Sequence, residues 1–390
     1  MSSLGGIAIV GGGLSGLICS YALARKNFKV YLIDSRDPRT VENSDQRAIV
    51  LSEASKIILQ RIGLWDSLSR FCTPIEEVWV SEKRAFGKVK LVASEVGLDA
   101  LGWAISAKDL LMVINNCVYQ NANITIKANH LFKDFSEPRK ILHLKSNSGS
   151  GVAIKNIEFV IGADGLNSVV RNRMGLRSEI INFEQDAIVG NISTHKDPEG
   201  IAIQRIFEEG SVALIPKKNN RLTFVFIVKR NSFKNYTRDH TKYLRQIEEL
   251  CGKPFGSYSL LEPPRHYPLY GLKLAYKHSE HFALVGNSRG TVHPTTAQGL
   301  NLGIRDIDEL ITQIQRLGVP LKIAPPVVFN KCFSSREVSE FFIDSVATLY
   351  RKRNATSNFI RRAVLATAAN NKRLRKIITR IGTGLDYIEQ

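Results

Sequence analysis

The stretch Ile7-Ala-Ile-Val-Gly11-Gly-Gly13-Leu-Ser-Gly16, completed by Lys29-Val-Tyr-Leu-Ile-Asp34, decides the fold. Ile7 to Val10 is a continuous apolar run, the pattern of a strand buried on both faces of a parallel sheet. The glycines that follow match GxGxxG. Leu17 to Ala24 reads as a helix, and Lys29 to Ile33 as a second strand. Asp34 closes it 23 residues after Gly11, near the ~20 of the dinucleotide fingerprint. In that reading Gly11 makes the tight turn, Gly13 lets backbone approach a pyrophosphate, and Gly16 lets helix and strand pack closely. Asp34 accepts from the adenosine ribose. The alternative is a glycine-rich turn with Asp34 as a solvated strand end. Strand, helix, second strand and acid in register favour the dinucleotide, without separating NAD from FAD.

Two later segments share this grammar. Glu158-Phe-Val-Ile-Gly-Ala-Asp164-Gly165-Leu-Asn-Ser168 reads as strand, turn and helix start, with Ser168 as N-cap. Alone, Asp164 could simply cap a turn. Phe282-Ala-Leu-Val-Gly-Asn-Ser-Arg-Gly-Thr-Val-His293-Pro294-Thr-Thr-Ala297-Gln298-Gly299-Leu300-Asn301-Leu-Gly-Ile-Arg-Asp306 runs from an apolar strand through a glycine-bearing loop into a helix. That order brings backbone amides against an anionic or polar ligand. Between Ile188 and Val228 the pattern is β alone, with turns at Glu209-Gly210 and Lys217 to Asn220. This predicts an antiparallel sheet set into a βαβ protein, a natural floor for a substrate cavity.

Composition bounds the rest. The 390 residues are 44% hydrophobic and 23% charged, an ordinary globular balance. Cys19, Cys72, Cys117, Cys251 and Cys332 are scattered, so a reduced compartment and no structural zinc are expected. His278 and His281 lack a third ligand nearby, and no metal is expected there. The first 24 residues carry no charge, but without a basic leading region they do not read as a signal peptide or a span. The net charge of +18 is uneven. No acid occurs from Ser345 to Leu385, while ten basic residues do, from Arg351 to Arg380. Leu374, Ile377, Ile378, Ile381 and Leu385 recur at helical spacing, so a basic amphipathic helix is expected. Packing against the body of the protein and contact with anionic lipid both remain open for it. Without aromatic stacking residues, nucleic acid is not expected.

In this order, the motifs at Gly11, Asp164 and Gly286 resemble those of single-component flavin aromatic hydroxylases of the p-hydroxybenzoate-hydroxylase fold. Asp45-Gln-Arg47-Ala-Ile-Val-Leu-Ser, Leu59-Gln-Arg-Ile-Gly-Leu-Trp65, Gln204-Arg-Ile-Phe207 and Tyr267-Pro-Leu269 narrow the resemblance to the ubiquinone-biosynthesis hydroxylases, nearest those acting on 2-polyprenyl-methoxyphenols. The resemblance implies α/β architecture: a Rossmann-like FAD-binding domain, an inserted mostly antiparallel β-sheet substrate domain and a C-terminal helical region. The expected boundaries are 1–180 (with an excursion at about 76–100 toward the substrate domain) and 275–318 for FAD, 181–274 for substrate, and 319–390 for the basic helices.

The resemblance also implies roles. Gly11, Gly13, Gly16 and Asp34 would hold the ADP half of FAD. Arg47 would meet FAD phosphate or ring, or else be a surface ion-pair residue. Asp164 would lie near FAD on the reductant's route, and Asn287 would bond the ribityl chain. Gln298, Gly299, Leu300 and Asn301 would present amides to the flavin edge that turns negative on reduction. Pro294 would wall the reacting ring. His293 is a candidate base by position, with a loop histidine that orients the turn as the favoured alternative.

The chain departs from the family at three places. Ala297 stands where a glycine is usual, Arg289 lies in a usually apolar run, and Lys108 stands where Arg is frequent. The implied activity is NAD(P)H- and FAD-dependent monooxygenation. O2 would be taken to a C4a-hydroperoxyflavin that hydroxylates a polyprenylated phenol on the way to ubiquinone. The expected location is cytoplasmic, peripheral on the inner face of the cytoplasmic membrane beside other ubiquinone-biosynthesis proteins. An FAD-dependent lipid reductase or dehydrogenase, and a non-catalytic flavin-binding subunit of such a complex, are the alternatives.

Overall fold

The structure is a computed structural model that describes residues 5–40, 47–85, 87–230, 240–274, 281–316, 334–351 and 355–388. His278, Cys332 and the expected boundaries at 275, 318 and 319 lie outside the described residues.

The apolar run forms Gly6–Val10, buried at all five positions, in the middle of a five-stranded parallel sheet. The strand order is Phe282–Leu284, Ile157–Gly162, Gly6–Val10, Val30–Ile33, Ile124–Lys127. The run is apolar throughout because both faces are covered. Ile7, Ile9, Phe159 and Ile161 pack under helices α1 (Leu14–Ala24) and, further along the chain, α7 (Gly299–Arg316). Ala8, Val10 and Val160 point the other way, onto Phe132, Phe135, Leu142 and Leu144 of the meander His130–Ser136, Ile141–Ser146 and Gly151–Ile154. Three of the helices between are capped by serines, Ser168 as expected and Ser52 and Ser106 besides. The Ser52 side chain accepts from Ser55 at the start of α2 (Glu53–Arg61), which is followed by the short α3 (Trp65–Ser69). Ser106 caps α4 (Ala107–Tyr119), and Ser168 caps α5 (Val169–Arg173).

The second layer is an eight-stranded sheet built on Ser178–Thr194, Arg221–Lys229, Gly210–Lys217 and Ile201–Phe207, antiparallel neighbours in that order. Glu77–Glu82 extends it in parallel, followed by Lys88–Val92; Tyr258–Leu260 and Arg265–Leu274 pair with Ser178–Thr194. Ser178–Thr194 runs through the expected 180/181 boundary because its first residues already pair with Gly271–Leu274. Period-2 alternation gives the sheet two different faces. Ile188, Val212, Phe224, Phe226 and Val228 pack on Tyr243, Ile247 and Leu250 of α6 (His240–Cys251). Ala187, Val189, Ala202, Ala213, Val225 and Ile227 face the opposite side, where smaller side chains leave room.

Three long helices, α8 (Ser334–Arg351), α9 (Ala355–Asn370) and α10 (Lys372–Thr383), roof that second face, and α11 (Leu385–Ile388) follows. The expected helical face breaks at its last member. Gly384 adopts φ +75° and donates to the carbonyls of Arg380 and Ile381, ending α10. That left-handed cap turns the chain, so Leu385 belongs to α11 and is buried apart from Leu374, Ile377, Ile378 and Ile381. Arg361 holds α9 to the sheet edge through two hydrogen bonds to Glu82, 2.7 and 2.8 Å, both side chains buried. Arg375 holds α10 through a matching fork to Glu95, at 2.7 and 3.0 Å.

Candidate cofactor and substrate site

The parallel strand order brings the three glycine-bearing turns to the carboxyl ends of adjacent strands, where ligands bind in open α/β sheets. Gly11 has φ +110°, and a Cβ there would lie 2.5 Å from the Ala163 carbonyl oxygen. A Cβ on Gly16 would lie 1.8 Å from the Gly11 oxygen, so that glycine is what lets α1 start against the turn. At Gly13 a Cβ would meet nothing within 4 Å. Gly13 is the N-cap of α1 and has no side-chain cap, so the first amides of the helix stay open to an anion. Asp34 accepts from the backbone amides of Gly12 and, at 2.8 Å, Arg36.

Asp164 caps α5 through Oδ2, which accepts from Val169 (2.7 Å) and Val170 (3.2 Å). Its Oδ1 is buried without a partner. It lies beside the Gly11 turn, since a Cβ on Gly11 would stand 2.7 Å from the Asp164 nitrogen. A buried acceptor left open at the crossing of two turns is what a polar ligand would satisfy.

The third turn presses on the first. Gly286 has φ +63°, and a Cβ there would lie 2.4 Å from Ser15 Oγ of α1. Beneath the turn lies a buried ionic knot. Asp306, 1% exposed, accepts from the Gly286 amide (2.9 Å), from Arg289 (2.9 Å) and from Arg336. Arg289 therefore braces the loop, the role that could not be read from its position in the sequence. Arg171 adds a bond to the Ser288 carbonyl at 2.9 Å. Asn287 alone of Gly286–Gly290 is exposed.

Beyond it, Ala297 sits in the left-handed region at φ +53°, ψ +29°. An alanine held there costs roughly 1–2 kcal/mol, and Asn301 supplies the compensation. Its amide, 1% exposed, donates to the carbonyls of Ala297 (3.0 Å) and Val50 (2.9 Å). It accepts from Ser52 N (2.9 Å) and Ser55 Oγ (2.8 Å). Gln298 donates to the Gly382 carbonyl of α10 at 2.8 Å. Gly299 opens α7, and a Cβ there would meet nothing within 4 Å; Leu300 packs against the core under α1.

His293 is 4% exposed, and both ring nitrogens are engaged. Nδ1 accepts from the Thr295 amide at 3.3 Å, so the proton rests on Nε2, which donates to Gln185 Oε1 at 3.0 Å. This bridge joins the loop to the large sheet, and Phe183 packs edge-on at 4.7 Å. Gln185 is invisible to sequence reasoning, because its partner is 108 residues away. Lys108 is exposed on the first turn of α4.

Pro294, Thr296, Ala297, Gln298 and Asn301 form one end of a cavity of about 960 Å³. Arg47 stands at the same end, its guanidinium 5.6 Å from the centre of the Tyr267 ring. The floor is the small-residue face of the eight-stranded sheet, and the roof is formed by side chains of α8, α9 and α10. The loop end carries Arg47, Thr296, Gln298 and Asn301; the floor is mainly aliphatic, with Gln204 and Ser211 among its side chains, and the roof adds Arg361, Thr379 and Thr383. Such a cavity suits a ligand with a polar head and a long apolar tail.

The residues fit FAD on these observations: two glycines that no side chain could replace, the uncapped helix N-terminus at Gly13, and the unpartnered Asp164 oxygen. Residues 6–317 match the family described as FAD binding domain. Among curated proteins the chain is 28% identical over 320 residues to 3-demethoxyubiquinol 3-hydroxylase of Escherichia coli (strain K12), covering 78% of each. It is 25% identical over 400 residues to ubiquinone hydroxylase UbiM of Neisseria meningitidis, covering 98% of this chain and 86% of that one. Among solved structures it superposes on p-nitrophenol 4-monooxygenase PnpA of Pseudomonas putida with TM-score 0.78 at 17% identity, covering 99% and 98% of the two chains. It also superposes on PqsL of P. aeruginosa in complex with 2-aminobenzoylacetate, with TM-score 0.74 at 18% identity over 94% and 100%.

Proposed function

This chain belongs to the FAD binding domain family and is an NAD(P)H- and FAD-dependent monooxygenase; from that premise we propose that it hydroxylates the ring of a polyprenylated phenol on the route to ubiquinone. One observation carries the reading: the loop that would face the flavin, Pro294 to Gln298, also lines one end of a cavity of about 960 Å³ whose floor is mainly aliphatic. Bound FAD supplies two-electron transfer from NAD(P)H and the activation of O2.

The chain's own residues would bind, orient and keep water out. The open amides after Gly13 would take the pyrophosphate. Asp34 keeps free lone pairs on both oxygens for ribose hydroxyls. Asp164 Oδ1 would accept from the cofactor, and the exposed Asn287 amide would reach the ribityl chain. The amides at Gln298 to Asn301, at the N-terminus of α7, would face the flavin edge that gains negative charge, with Pro294 as a rigid wall. Arg47, held against Tyr267, would close the loop end of the cavity. His293, with its ring nitrogens committed to Gln185 and Thr295, supports an orienting role.

Among the described residues no helix is long and apolar enough to cross a membrane. A peripheral location on the inner face of the cytoplasmic membrane, among other ubiquinone-biosynthesis proteins, suits a substrate that resides in the bilayer.

Removing the gene tests the reading. A prenylated phenol lacking one ring oxygen should accumulate, and its mass identifies the substrate. An unchanged quinone pool, or accumulation of a compound that lacks no oxygen, would contradict it.

A further inference from the structure

Among the described residues, the most exposed large apolar side chains lie on the C-terminal helices. Phe341 on α8 is 76% exposed and Phe359 on α9 is 74% exposed, with Ile360 and Val364 at 43% each and Ile377 on α10 at 55%. Helical spacing groups them. Ile360 and Val364 are four apart on α9, and Arg373 stands four before Ile377 on α10, so each pair shares a face. Exposed Lys372, Arg373 and Lys376 line α10, and no acid occurs from Ser345 to Leu385.

On α10 the exposed and the interior sides are distinct. The opposite side of α10 is already committed, through Thr379 and Thr383 in the interior and Arg375 on Glu95. Val364 and Ile377 belong to two surfaces at once: both are exposed, and both line the cavity. The mouth of the cavity therefore opens between α9 and α10, within the apolar basic patch.

A partner must neutralise cations and bury phenylalanines together. Nucleic acid answers the charge and not the apolar rings. A second copy would set basic helices against basic helices on a chain of net charge +18. We propose that the α8–α10 surface docks on an anionic bilayer, with Phe341 and Phe359 among the acyl chains. The mouth between α9 and α10 then faces lipid, so that an isoprenoid-tailed substrate reaches the cavity without crossing water. The route rests on the polyprenylated-phenol reading; the docking does not.

Flotation of the full-length, FAD-loaded protein tests the docking, with vesicles of neutral phosphatidylcholine and vesicles containing a third phosphatidylglycerol. The wild type should float with the anionic vesicles alone. Lys372→Glu/Arg373→Glu/Lys376→Glu should lower the partition at least a hundredfold, and Phe341→Ser/Phe359→Ser at least tenfold. Flavin content and far-ultraviolet circular dichroism should stay unchanged in both. Equal flotation by wild type and variants, no flotation at low salt, or a wild-type dimer that the phenylalanine variant dissociates would each overturn the proposal.

The route is read separately. The phenylalanine variant should hydroxylate a tail-less soluble phenol as the wild type does, and a vesicle-embedded prenylated phenol at least tenfold more slowly. Equal rates on the embedded substrate overturn the route. If the wild type hydroxylates neither phenol, the functional reading fails while the flotation result stands.

Discussion

The two loops that converge on the proposed cofactor site solve one problem by different means. From Gly11 to Gly16 the backbone is shaped by the glycines themselves: glycine supplies the positive φ, and the absence of a Cβ supplies the room, against Ala163 at Gly11 and against the turn's own carbonyl at Gly16. From Gly286 to Asn301 the shape comes from afar. Ala297 takes a left-handed conformation that suits glycine, while Asn301 holds it from residues about 250 positions away. The first loop is geometry written locally. The second is geometry enforced by tertiary bonds, and its strain is sustained by them.

Substitutions can break that contrast. Gly16→Ala should have the largest effect, since its methyl would lie 1.8 Å from the Gly11 oxygen and neither backbone can yield. The purified variant should carry no flavin, and a yellow protein with full FAD content would refute the close-packing account. Asn301→Ala comes next. It strips partners from Ser52, Ser55, Val50 and Ala297 in a buried place, which should cost about 2–4 kcal/mol. Chemical denaturation should register the loss, and FAD affinity should fall with it. An unchanged midpoint would mean that the loop holds its shape without the asparagine.

Ala297→Gly should act in the opposite direction and more weakly. It relieves the left-handed alanine and should stabilise the folded protein by about 1 kcal/mol, net of glycine's greater freedom when unfolded. A thermal midpoint that falls instead would show that the methyl makes contacts worth more than its strain.

The smallest effect is a pH dependence. The hydrogen bonds from Arg375 hold the Glu95 carboxyl below its ordinary value of 4.5. A depressed carboxyl stabilises α10 docking above that value and ceases to as pH falls through the lowered one. Limited proteolysis of the C-terminal helices should therefore accelerate only in acid below about pH 4.5, and Glu95→Gln should flatten the profile. Acceleration between pH 5 and 7 would point to a different anchor.

The same contrast explains what the sequence made legible. Strand, glycine turn, helix, strand and Asp34 lie within 34 residues, and their spacing alone implies the cradle. Strand-like runs between turn residues marked the sheet from Ile188 to Val228, and the departure at Ala297 pointed to the residue whose backbone is left-handed. Bonds between distant positions left no such trace. Arg289 on Asp306, His293 on Gln185 and Arg361 on Glu82, a pair 279 residues apart, depend on the closed fold. The apolar spacing that ran through Leu385 misled for a local reason: the Gly384 cap ends the helix one residue earlier.

The account is tested most directly by oxygen isotope transfer. Purified FAD-loaded protein should be given NADPH or NADH, a prenylated phenol and 18O2, and the product weighed. The account predicts one 18O atom in the ring of each product molecule, with nicotinamide oxidised in step. Nicotinamide oxidation that leaves the phenol unlabelled, with a double bond or quinone reduced instead, would contradict it and make the protein a flavin-dependent lipid reductase.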